Sequence, residues 1–151
     1  MKYKYNEGGR GEHYKGLSGD CVTRAITIAT EQRYDDVYNA LFDIARNWKG
    51  NSKLAKRIRT NASPRDGCFK EVGSKYLKDL SIDEVRKKLK INDQIFNEGR
   101  YVVKVRRHWI AIIDGVVHDT WDSRKTSGAY TDGVPQWKTV TRYWKVIRET
   151  V

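Results

Sequence analysis

The stretch His108-Trp109-Ile110-Ala111-Ile112-Ile113-Asp114-Gly115-Val116-Val117-His118-Asp119-Thr120-Trp121 reads as a β-hairpin. Two β-branched and aromatic runs flank Asp114-Gly115, a pair suited to a type I′ turn, in which both central residues need positive φ. With Asp114 and Gly115 as the two loop residues, Ile113 pairs with Val116 and His108 falls opposite Trp121. Side chains alternate along each strand, so His108, Ile110 and Ile112 share a face with Val117, Asp119 and Trp121. Asp119 becomes the diagonal neighbour of His108. A bulge or a three-residue loop would shift the register by one and put Asp122 in its place.

Outward from the hairpin, Tyr101–Val105 and Thr139–Val146 have the same β-branched and aromatic character, which predicts four antiparallel strands. A loop from about Ser123 to Gln136 precedes the last of them. The first half of the chain has helical periodicity instead. Cys21, Ala25, Ile28 and Ala29 form one stripe between Asp20 and Thr30, with Val22 and Ile26 beside it, and Asp20 suits the N-cap. Val37, Ala40, Leu41 and Ile44 mark a second helix over Asp35–Arg46. Phe69, Val72, Tyr76, Leu77 and Leu80 mark a third. Ser81 and Glu84 have capping-box spacing and predict a short helix with Val85 and Leu89 on its inner face. The glycine-rich first twenty residues read as irregular, and Trp48–Asp66 as a basic loop or short irregular helix. Helices followed by an antiparallel sheet make an α+β fold, and 151 residues suit a single domain, 1–151.

Hydrophobic residues make up 38% and charged residues 32% of the chain, which excludes low-complexity disorder. The start, Met1 to Glu7, lacks a secretory apolar run, and no later stretch is long enough to span a bilayer. The expectation is a cytoplasmic protein with no membrane partner. Two cysteines are too few for a disulfide framework. The formal charge of +11 permits nucleic-acid binding through a basic surface.

Cys21 stands at a helix start, where unpaired amides and the helix dipole favour thiolate. Its base must come from elsewhere in the sequence, and His108 is placed to serve, with Asp119 orienting the ring. Cys68 also begins a helical pattern, but no second histidine and acid accompany it, so it reads as structural. His118 points away from His108 and reads as solvent-facing. Cys21, Cys68 and the three histidines lack zinc-ligand spacing, and Gly8, Gly9 and Gly11 neither follow a strand nor open a helix. No metal or other cofactor is expected.

Gly19-Asp20-Cys21 opening a helix, a strand beginning at His108 and an acid on the next strand together resemble the papain-like cysteine peptidase superfamily. The likeness is to its small phage and bacterial members, such as bacteriocin-leader peptidases and cell-wall amidopeptidases. Tyr5 to Arg10, Gly19 to Ile26 and His108 to Asp122 are similar to a group of phage and bacterial proteins. The resemblance implies a papain-like domain and a Cys21–His108–Asp119 triad acting on a peptide or protein substrate. The glutamine that papain places before its cysteine to support the oxyanion is absent from Lys15–Asp20. The backbone amide of Cys21 is one substitute donor, with the side chain of Asn6 or Ser18 as a second. Two functions follow: a thiol hydrolase cleaving a peptide, isopeptide or other amide bond, and a non-catalytic basic module binding nucleic acid or a host protein on the same fold.

Overall fold

The computed structural model describes residues 2–6, 8–9, 20–60, 69–106, 108–119 and 139–147. In chain order the elements are β1 (Lys2–Tyr5), α1 (Cys21–Thr30), α2 (Tyr34–Arg46), α3 (Lys53–Thr60), α4 (Phe69–Asp79), β2 (Glu84–Val85), β3 (Leu89–Lys90), a 3₁₀ turn at Gln94–Asn97, β4 (Arg100–Val105), β5 (His108–Ile113), β6 (Val116–Asp119) and β7 (Thr139–Val146). The fold is α+β. Its sheet runs β1-β6-β5-β4-β7-β2, with β3 also on β7. β1 joins β6 in parallel, and the other pairings are antiparallel, so the sheet is mixed.

The hairpin register follows from its turn. Asp114 and Gly115 have φ of 48° and 79°, both positive as a type I′ turn requires. Ile113 pairs with Val116, Ile112 with Val117 and Ala111 with His118. The turn is tied to the start of β4, where Gly99 N donates to Asp114 Oδ1 and Asp114 N donates to Gly99 O, each at 2.8 Å.

Both faces of β5 are buried, which explains its nearly unbroken apolar sequence. Trp109 and Ala111 enter a core with Val22, Ala25 and Ile26 of α1, Val37 and Leu41 of α2, and Val72 and Leu77 of α4. Trp109 stacks on Trp144 there, with ring centroids 4.7 Å apart. Ile110 and Ile112 enter a second core with Val103, Val117, Val140, Ile91 and Phe96. Gly73 lets α4 approach α1 closely, because a Cβ there would sit 2.5 Å from Val22 Cγ1 and 3.3 Å from Trp109 Cη2.

Four sequence expectations need correction. Lys2–Tyr5, within the segment read as irregular, forms β1 and pairs with Val116–Asp119. The capping-box segment is not helical: Ser81 has φ of 61°, and Glu84–Val85 and Leu89–Lys90 pair with β7. The tertiary hydrogen bonds offered by β7 outweigh that local helical signal. The basic stretch after Trp48 contains a regular helix, α3, which buries only Ala55 and Ile58. Finally, the Asp20 side chain makes no capping bond, because its carboxylate is engaged elsewhere. The predicted loop from about Ser123 to Gln136 lies outside the described residues.

Candidate active site

Cys21 is the first residue of α1, and His108 is the first residue of β5. Asp119 closes β6, at the same end of the sheet as His108 because the two strands run antiparallel. His108 Nε2 lies 2.6 Å from Asp119 Oδ2. The ring is also hydrogen-bonded to the Cys21 thiol, which receives a further bond from the backbone N–H of Trp109. The three residues form one connected chain, with Asp119 6% exposed at its inner end.

The charges of this chain support one another. Burial by itself would push His108 down, but hydrogen bonds to Asp119 and Cys21 and their negative charges outweigh it and raise the imidazole to about 9. Burial opposes ionisation of Cys21 too. The His108 hydrogen bond and charge, the Trp109 amide and the Arg24 charge together overcome it and lower the thiol below its ordinary value. Both displacements lie in the direction that favours thiolate facing imidazolium.

The helix start contributes through what does not cap it. The Asp20 carboxylate does not cap the first amides of α1, where its negative charge would have offset the local positive potential. Asp20 instead holds Arg24 Nη1 on Oδ1 and accepts the Tyr34 hydroxyl on Oδ2 at 2.6 Å. Arg24 Nη2 lies 3.5 Å from Asp119 Oδ1. Asp20 is fully buried and Arg24 is 6% exposed. Sequence reasoning passed over Arg24 and Tyr34. The Asp20–Arg24 spacing of four on a helix was a usable signal for the first, and nothing local marks the second.

The side chain of Asn6 makes two hydrogen bonds. Its Oδ1 accepts from Gly8 N at 2.8 Å, and its Nδ2 lies 3.1 Å from His118 Nδ1. The second of these bonds ties the side chain to His118, which alternates with Asp119 along β6. His118 is likewise partly buried against Asn6 rather than solvent-facing. Burial, with the charges of Lys4 and Arg100, lowers its pKa. The backbone of Asn6 is closer to the chemistry: Asn6 N and Tyr3 Oη both donate to the Asp119 carbonyl at 3.0 Å, so β1 braces the end of β6.

Asp122, Ser18, Cys68 and His13 lie outside the described residues. Among the described residues no group of three or more His, Cys, Asp or Glu side chains could hold a metal ion, and no helix is long and apolar enough to cross a membrane. No protein-family model, curated protein or solved structure matches the chain.

Proposed function

We propose that this protein is a papain-like thiol hydrolase that cleaves a peptide, isopeptide or other amide bond in a peptide or protein substrate. The observation that carries the reading is the connected chain from Cys21 through His108 to Asp119, with thiol and imidazole displaced in the directions an ion pair needs. The Cys21 thiolate attacks the carbonyl carbon, and the backbone amide of Cys21 is the proposed donor to the oxygen that becomes negative. Imidazolium of His108 then protonates the leaving amine as the tetrahedral intermediate collapses to a thioester. Neutral His108 takes a proton from water, the resulting hydroxide equivalent attacks the thioester, and the acid product leaves with the thiolate restored. Asp119 keeps the ring oriented and favours imidazolium throughout. An amine replacing that water would turn the same sequence into acyl transfer.

The test is exposure to a peptide-aldehyde or vinyl-sulfone panel followed by peptide mapping. Covalent capture at Cys21 that disappears in His108→Ala supports the reading, and a Cys21 no more reactive than Cys68 opposes it. A non-catalytic basic module remains the second reading, favoured by the +11 formal charge. Its mark is oligonucleotide binding that persists in Cys21→Ser and weakens steeply between about 50 and 200 mM salt.

A further inference from the structure

We propose that Arg24 is a positioning residue of this site, dividing its guanidinium between Asp20 and Asp119 so that the Asp119 carboxylate is held for His108. This inference rests on the thiol-hydrolase reading above. Asp119 presents Oδ2 to His108 at 2.6 Å and Oδ1 to Arg24 at 3.5 Å, so its two oxygens are shared between two cations. Asp20 is split in the same way, with Oδ1 on Arg24 and Oδ2 on Tyr34. The contacts close a ring: Asp20 to Arg24, Arg24 to Asp119, Asp119 to His108, His108 to Cys21, and the peptide bond from Cys21 back to Asp20.

Such a ring fixes the start of α1 against the ends of β5 and β6, where nucleophile and base must meet. The planar guanidinium suits this task, because its fork reaches two carboxylates at fixed angles while an ammonium presents a single point of charge. The location is costly for a group serving only packing. Among the described residues Arg24 Nε has no hydrogen-bond partner, and both carboxylates it serves are at least nine-tenths buried.

Two variants separate positioning from bulk charge and from folding. Arg24→Lys keeps the charge and loses the fork. The double variant Asp20→Asn/Arg24→Gln removes one negative and one positive charge together, leaving the net local charge unchanged. In each, the readout is the pH midpoint of Cys21 alkylation by iodoacetamide, on protein shown to be folded by near-UV circular dichroism. The expected result is an upward shift of about one pH unit in both, which is a roughly tenfold loss of thiolate at any pH well below both midpoints. A folded variant pair with the wild-type midpoint overturns the positioning role while leaving the hydrolase reading intact. A wild-type midpoint at an ordinary thiol value overturns the hydrolase reading itself. Should neither variant fold, ¹⁵N spectra of the Arg24 guanidinium before and after Cys21 alkylation in the wild-type protein decide: a shift is expected, and unchanged resonances contradict the proposal.

Discussion

His108 and Asp119 stand eleven residues apart on adjacent strands, yet Nε2 and Oδ2 meet at 2.6 Å, because a two-residue turn fixes which side chains become diagonal neighbours. The geometry of the candidate site thus depends on two backbone conformations at Asp114 and Gly115. A slip of one residue would carry Asp119 to the opposite face.

Replacing the orienting carboxylate tests this relationship. Asp119→Asn is expected to slow turnover by about two to four orders of magnitude, since the amide neither stabilises imidazolium nor selects its tautomer. Asp122→Asn is expected to change turnover by less than about tenfold, or roughly 1.4 kcal/mol. Alkylation rates at neutral pH provide the comparison without a known substrate. The reverse ranking would move the acid to Asp122.

The turn itself can be weakened. Gly115 has φ of 79°, so Gly115→Ala forces a Cβ into the left-handed region and is expected to cost about 1–2 kcal/mol. Urea unfolding measures the loss. An unchanged midpoint would mean that the hairpin tolerates another turn type.

Close packing beside the site makes a separate expectation. Gly73→Ala would place a Cβ 2.5 Å from Val22 Cγ1, and a β-branched neighbour on the helix carrying Cys21 has little room to yield. The expected destabilisation is about 1–3 kcal/mol, accompanied by slower alkylation as α1 shifts. Gain of stability in the variant would show that the two helices separate freely.

The hairpin, the helix periods and the nucleophile–base–acid order were legible because each depends on a local pattern. Asp114-Gly115 specifies its own φ values, and Cys21 through Ala29 repeats at helical spacing. The remaining features depend on partners far along the chain. Lys2–Tyr5 buries little and carries no core signal, so only its pairing with Val116–Asp119 reveals a strand. Ser81 and Glu84 match a capping box, but β7 offers Glu84–Val85 a ladder that local propensity does not foresee. The immediate neighbours of Asp20 mark it as a cap. Arg24 and Tyr34 claim its carboxylate instead, one from the next helical turn and the other from the next helix.

Acid-base behaviour separates the two halves of the reaction. His108, raised to about 9, keeps its proton through neutrality and loses it as pH rises through that value. Amide cleavage needs that proton for the leaving amine, so its rate is expected to fall above about pH 9, while alkylation, which needs only thiolate, should not fall with it. Parallel pH profiles of the two reactions check this point. A common profile would remove His108 as the acid.

The central claim is that Cys21 exists as a thiolate paired with imidazolium of His108, and the most direct measurement is the rate of Cys21 alkylation across about pH 4 to 10, with Cys68 as internal reference. An ion pair requires Cys21 to react at pH 6 far faster than Cys68, with a midpoint well below that of an ordinary thiol. It also requires His108→Ala to return the midpoint toward the ordinary value. Equal reactivity of the two cysteines, with midpoints near about 8.5, would contradict it.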